Sequence, residues 1–167
     1  MEKAMVEEVS SMEGVIAQLS VLLKEVVDNG ASIGFLPPIQ MKEAKAYWQT
    51  VLTPHTVLLI AKIDGRLAGT VQLQLITKPN GDHRAEVAKL MVHPDFRQNG
   101  IGRLLMQKAE ERASQENRSL LVLDTREGDP SNKLYQSLGY VEAGKIPRYA
   151  KSAGGSFDTT VIYFKFI

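Results

Sequence analysis

The sequence contains no cysteine. Disulfides, thiolate metal sites and a cysteine nucleophile are therefore excluded. Its three histidines, His55, His83 and His93, fall at no spacing suited to a shared ion, so no metal centre is expected. An excess of either charge is also missing. Twenty lysines and arginines face nineteen aspartates and glutamates, for a net charge of +1. That balance gives no reason to expect nucleic acid or a membrane surface as a partner. No stretch approaches the ~18 consecutive apolar residues of a membrane-spanning helix. The segment Met1–Glu8 is acidic and has no apolar signal core, which predicts a cytoplasmic protein. What is present is ordinary: 167 residues, 44% hydrophobic and 23% charged. This suffices for a single domain, residues 1–167, whose core needs no covalent staple.

Met5 to Val9 reads as a weak first strand. From Ser11, apolar residues at Met12, Val15, Ile16, Leu19, Leu22, Leu23, Val26 and Val27 recur at helical spacing, and Asp28-Asn29-Gly30 supplies a stop. A loop with an apolar tip at Phe35 leads to a second helix over Gln40–Leu52, ended by Pro54. Val57–Ile63 and Leu67–Thr77 form a hairpin turning at Asp64-Gly65. Lys78-Pro79-Asn80-Gly81 turns the chain into a strand over Arg84–Val92, closed by His93-Pro94. A helix follows over Gly100–Asn117. The run Ser119–Leu123, apolar on both parities and ending in Asp124, has the pattern of a parallel strand covered on both faces. Asp129 before Pro130 reads as an N-cap before an N1 proline, opening a short helix to Leu138. Tyr140–Tyr149 and Thr159–Ile167 read as a closing strand pair around the loop Ser152–Ser156. The element order is that of one α/β or α+β domain.

The informative segment is strand, glycine turn, helix, strand, from Arg84 to Asp124. A parallel pair joined by one helix binds ligands beyond the carboxyl ends of its strands, at the helix N-terminus. Here that point is Arg97 to Gly102. Amides of a first helical turn lack internal partners and sit at the positive end of the dipole, so they can receive a pyrophosphate. Gly100 and Gly102 permit close backbone approach, and Arg97 and Arg103 can add charge-assisted bonds. Glycines alone leave a plain tight turn as an equal reading. A dinucleotide-binding turn would want a third glycine, although Asp124 stands about 20 positions on, where such a turn places an acidic residue.

The run Leu90-Met91-Val92-His93-Pro94-Asp95-Phe96-Arg97-Gln98-Asn99-Gly100-Ile101-Gly102-Arg103 resembles the acetyl-CoA motif of the GNAT superfamily of N-acetyltransferases. Leu134-Tyr135-Gln136-Ser137-Leu138-Gly139-Tyr140 is similar to the family's second motif. Gly30–Phe35, Lys78–Gly81, Arg84–Val87 and Ile162–Lys165 further resemble a family member that acetylates the amine of a β-lactam-type toxin. The resemblance implies a mixed α/β sheet, mostly antiparallel and twisted, with a splayed parallel pair and about four helices. It implies acetyl-CoA as cosubstrate, direct attack by an amine, and often a homodimer.

The resemblance also distributes roles. The turn residues Arg97, Gln98, Asn99, Gly100, Ile101, Gly102 and Arg103 are expected to hold the pyrophosphate. The Leu90 amide is expected to face the acyl carbonyl, and Met91 and Val92 to line the pantetheine. Their plain alternative is core strand, and both can hold, because only their backbones are used. Tyr135 is expected to protonate the leaving thiolate; otherwise it is a packing tyrosine. Gly128 stands where many members carry an asparagine, which leaves Asn132 as the expected cofactor contact. An ammonium, of pKa about 10, must lose a proton before it can attack. Glu86 is the expected base and Asp124 its partner, the alternatives being an exposed strand carboxylate and a loop cap. Strand alternation does not decide the face of Glu86, because a bulge would shift it. Phe35, Trp48 and Arg148 are expected to line the acceptor pocket, with core packing as the rival reading for the two aromatics. The acceptor is expected to be the primary amine of a small metabolite, toxin or antibiotic. The alternatives are a protein N-terminus or lysine, and a non-catalytic acyl-CoA sensor.

Overall fold

A computed structural model describes residues 3–167. Seven strands and four α-helices follow the expected order. They are β1 (Met5–Glu8), α1 (Ile16–Asp28), α2 (Met41–Trp48), β2 (Thr56–Ile63), β3 (Arg66–Leu75), β4 (Arg84–Val92), α3 (Ile101–Gln115), β5 (Leu120–Arg126), α4 (Ser131–Ser137), β6 (Val141–Lys151) and β7 (Phe157–Phe166). The strands form one sheet in the order β1-β2-β3-β4-β5-β7-β6. Every pair is antiparallel except β4–β5.

Several boundaries differ from the sequence reading, each for a local reason. Helix α1 starts later than Ser11 because Gly14 adopts a left-handed φ of 77°, which a helix cannot contain. Helix α2 stops at Trp48, and Thr50 closes a turn back onto the Tyr47 carbonyl at 2.8 Å. Strand β5 does not end at Asp124. It continues to Arg126, because Asp124, Thr125 and Arg126 keep pairing with Ile162, Val161 and Thr160. Asp129 does not cap α4; Pro130 takes the cap position, and the Asp129 carboxylate accepts from Arg126 Nε at 3.0 Å instead. A short 3-10 turn at Pro94–Phe96 was not anticipated. His93 opens it by accepting the Asp95 amide on Nδ1 at 3.1 Å, so this histidine is a turn residue.

The sheet carries a helical layer on each face. On one side α3 buries Leu105, Met106, Ala109 and Ala113 against Val71, Leu73, Ala85, Val87, Leu121 and Leu123. On the other, α1 and α2 bury Leu19, Leu22, Leu23, Val26 and Trp48 against Leu58, Ile60 and Met91. Each fully buried large aliphatic side chain contributes about 1.5–3 kcal/mol relative to exposure. The α3 face is packed tightly enough to need Gly69 on β3. A Cβ there would lie 2.7 Å from the Met91 carbonyl oxygen and 3.0 Å from Ile101 Cγ2. Backbone cannot yield as a side-chain tip can. Gly69→Ala is therefore expected to destabilise the fold by about 1–3 kcal/mol, read as a lower urea midpoint with an unchanged m-value.

Candidate active site

The site is a gap in the sheet. Strands β4 and β5 pair only through Arg84–Leu120, Ala85–Leu121 and Glu86–Val122. Beyond Glu86 the two strands part, so the β5-side edge of β4 from Val87 to Val92 has no strand partner. The same stretch is bulged. Pairing to β3 slips between Gln72–Ala88 and Thr70–Met91, and Lys89 adopts a left-handed φ of 55°. The bulge shifts side-chain parity. Val87 and Leu90, three positions apart, both pack on the α3-side core, while Met91 joins the α1/α2 side. The fork and the bulge together leave the stretch of β4 around Leu90 without a strand neighbour on the β5 side.

At the far end of β4 the turn Arg97–Gly100 is exposed and doubly left-handed, with φ of 63° at Gln98 and 74° at Gly100. Gly100 caps α3 without a side-chain bond, and the first intrahelical bond runs from the Leu104 amide to the Gly100 carbonyl. No protein group among the described residues receives the amides of Ile101, Gly102 and Arg103. A Cβ on Gly100 would meet nothing within 4 Å, so the space beside the cap residue is open. Gly102 has a different reason: its Cβ would come within 3.2 Å of Leu134 Cδ2, so it lets α3 approach α4. Asn99 Nδ2 braces the turn on the Arg97 carbonyl at 3.1 Å, and Arg103 Nη2 donates to Ser137 Oγ at 2.6 Å. The Asn29 side-chain amide, with its oxygen turned toward the guanidinium, accepts from Arg97 Nη1 and Nη2 at 3.1 and 3.2 Å.

Tyr135, Asp124, Glu86 and Lys89 surround the gap. Tyr135 comes from α4, is 6% exposed, and packs against Tyr140 and Tyr163. Its hydroxyl has no hydrogen-bond partner among the described residues. Burial, and after it the negative charge of Asp124, holds its pKa well above that of a free phenol. Glu86 and Asp124 share the α1/α2 face. Glu86 sits between the core residues Ala85 and Val87 and pairs with Val122, two positions before Asp124 on β5. Both carboxylates are exposed. Asp124 Oδ2 accepts from Thr160 Oγ1 at 2.8 Å. The structure thus resolves the face of Glu86 that alternation left open.

Other expected site residues are engaged in packing and hydrogen bonds. Asn132 is consumed by structure: Nδ2 donates to the Arg126 and Asp129 carbonyls, both at 2.9 Å, and Oδ1 accepts from Tyr163 Oη at 2.8 Å. It ties α4 to β5 and β7, and both hydrogens of its side-chain amide are used in doing so. Trp48 is fully buried, so the core reading holds for it. Phe35 is half-buried and stacks edge-on with Tyr47 at 5.2 Å, whose hydroxyl accepts from Gln72 Nε2 at 2.8 Å. Arg148 lies on the exposed edge strand β6, in a bulge with φ of 56°, its guanidinium 4.9 Å from the Phe157 ring centroid. It is not brought against the carboxylates.

Two residues escaped the sequence reading. Lys89 turns its ammonium onto the Ile33 carbonyl at 2.7 Å, and Arg126 Nη2 donates to the Gly30 carbonyl at 2.9 Å. With Arg97 beside Asn29, cations from β4, β5 and the turn before α3 reach the loop between α1 and α2. The only advance signal for Lys89 was a lone cation in an otherwise apolar strand run.

A model of the acetyltransferase (GNAT) family matches residues 25–140. An uncharacterized N-acetyltransferase of Azospirillum brasilense, from a hisH-hisA intergenic region, is 31% identical over 106 residues, covering 62% of this chain and 63% of that protein. The match therefore spans less than two thirds of that relative. A ribosomal-protein-alanine N-acetyltransferase from Brucella melitensis superposes with a TM-score of 0.83 at 18% identity, over 98% of this chain and 99% of that one. The acetyltransferase yncA of Salmonella typhimurium, solved with its cofactor acetyl-CoA, superposes with a TM-score of 0.82 at 15% identity, over 99% and 94%.

Proposed function

Because the chain belongs to the acetyltransferase (GNAT) family, we propose that it transfers an acetyl group from acetyl-CoA to the primary amine of a small molecule. The observation that carries this reading is the fork between β4 and β5. It opens one slot that meets an uncapped helix N-terminus at one end and Tyr135, Glu86 and Asp124 at the other.

The open amides of Ile101, Gly102 and Arg103 take the pyrophosphate, with Gln98, Asn99 and Gly100 shaping the turn and Arg97 exchanging Asn29 for phosphate. The Leu90 amide donates to the acyl carbonyl oxygen and stabilises the charge that builds there. The backbone of Met91 and Val92 continues the slot for the pantetheine. Glu86 takes the ammonium proton, directly or through water, and Asp124 holds the ammonium in place. Tyr135 donates its hydrogen to the sulfur as the C–S bond breaks. Its phenol stays neutral, as a donor must. An acceptor cation paired with Asp124 would cancel one of the two causes that raise its pKa, making it a better acid when it is needed.

A small acceptor is favoured by the apolar roof of Phe35 and Tyr47 and by the cations that hold the roof down. The segments Gly30–Phe35, Lys78–Gly81, Arg84–Val87 and Ile162–Lys165 are similar to the tabtoxin resistance protein, which supports an acceptor of the toxin or antibiotic kind and a cytoplasmic setting. The second reading is acetylation of a protein N-terminus, favoured by the fold likeness to the ribosomal-protein-alanine enzyme. Thiol release with an amine library and with N-terminal peptides separates the two.

Thermal unfolding with acetyl-CoA tests the cofactor assignment. A ligand at a hundredfold excess over its dissociation constant stabilises by about 2.7 kcal/mol, seen as a rise in Tm. Gly100→Asp is expected to abolish that rise while the variant itself folds. Aspartate tolerates left-handed φ better than most residues, the space is open, and its charge repels phosphate. A full shift in the variant would sink the pyrophosphate assignment.

A further inference from the structure

Of the cations that reach the α1–α2 loop from the sheet, Lys89 alone among the described residues is a primary amine, and the reaction above uses it only to hold that loop. We propose that Lys89 is a self-acetylation site: with acetyl-CoA bound and no acceptor present, its Nζ receives the acetyl group. This inference rests on the acetyltransferase reading above.

The placement argues for it. Lys89 directly precedes Leu90, whose amide is assigned to the acyl carbonyl. The bulge turns Lys89 to the same side of the sheet as Ala88, and its side chain reaches the α1–α2 loop. That is the side on which Glu86 and Asp124 lie. Nζ is held by a single neutral acceptor, the Ile33 carbonyl, and approaches to 3.1 Å the point where a Cβ on Gly34 would stand. No ion pair fixes it among the described residues, although Asp124 and Glu86 both act on its charge. An amine thus occupies the region that an acceptor ammonium must enter. Partial burial lowers its pKa, against the pull of those carboxylates, so it loses its proton more readily than a surface lysine does.

The step balances without a further reactant. Glu86 or water takes one ammonium proton. The Nζ lone pair forms the new C–N bond, the C–S bond breaks, and sulfur leaves as the free thiol of CoA with a proton donated through Tyr135. The second proton shed by nitrogen returns through solvent to the phenolate. The product, Nε-acetyl-Lys89, is neutral. It fills the acceptor region and leaves Glu86 and Asp124 without their cation, so self-acetylation also slows turnover on added amines.

The test uses the full chain incubated with acetyl-CoA alone, followed by peptide mass spectrometry over time. The expected result is one acetyl group per chain on Lys89, gained well before the exposed Lys42, Lys78 and Lys133. Tyr135→Phe should slow the Lys89 reaction at least tenfold and leave those surface lysines unchanged. Wild-type protein pre-incubated with acetyl-CoA should release thiol more slowly when an amine is then added. An unmodified Lys89, or one acetylated no faster than the surface lysines and indifferent to Tyr135→Phe, overturns the proposal. If thiol release on added amines proceeds while Lys89 stays unmodified, only self-acetylation falls. If neither occurs, the acetyltransferase reading falls with it.

Discussion

Tyr135→Phe is expected to lower kcat by about 10²- to 10⁴-fold, the range lost when a positioned acid is removed, while the Tm rise with acetyl-CoA stays within error of wild type. The separation follows from where the hydroxyl sits. The ring is packed among Tyr140 and Tyr163, and phenylalanine keeps that packing. Among the described residues the hydroxyl bonds to no protein group, so its removal leaves no partner unsatisfied there and should cost little stability. The turn at Arg97–Gly102, proposed above for the pyrophosphate, lies outside α4 and should be untouched. The pH dependence has a sign as well. The Tyr135 pKa is raised, so the alkaline limb set by this acid lies above the range of a free phenol and activity does not fall through ordinary tyrosine ionisation. Full activity in Tyr135→Phe would return this residue to the role of core packing.

Trp48→Ala is expected to destabilise the fold by about 3–5 kcal/mol, the range for removing a buried large aromatic. Trp48 is fully buried among the α1 and α2 side chains and the β2 face of the sheet, and Tyr47 stacks edge-on against it at 5.0 Å. Trp48→Phe should cost much less. The indole Nε1 is buried without a partner, and a donor left in that state costs about 1–3 kcal/mol, which phenylalanine does not carry. Chemical denaturation of both variants checks the pair. A Trp48→Ala protein of wild-type stability with a raised acceptor KM would restore this residue to the pocket wall.

Strands β2 to β5 and helix α3 were legible because their signals are local. The β-rich run Val57–Ile63, the Asp64-Gly65 turn and the glycines at 100 and 102 each need only neighbouring residues to act. The bounds of β4 were read as they stand, and a bulge was expected from the family resemblance. Its exact seat at Lys89 was not legible, because a non-glycine residue at φ of 55° has no mark in composition and depends on the slip against β3. The structural bonds of Asn132 were not legible for a related reason. A polar side chain near a motif looks free until its three partners, from β5, the following turn and β7, are folded around it. Trp48 shows the limit for aromatics. Helical spacing places it on the apolar stripe of α2, but whether that stripe meets a pocket or a core depends on α1, which lies before it in the chain.

The edges of the sheet bear on how crowded copies of this protein behave. A seven-stranded sheet has two open rims, and an open rim invites another chain to add a strand. One rim, β1, is only four residues long. The other, β6, is long, and it exposes Val141, Ile146 and Tyr149. Yet its register breaks between Ile146 and Ala150, where Pro147 offers no donor and Arg148 turns left-handed. Lys145, Arg148 and Lys151 add like charge along the same rim. A regular ladder cannot propagate through that break, so the surface that looks most adhesive is the one whose geometry resists fibril growth.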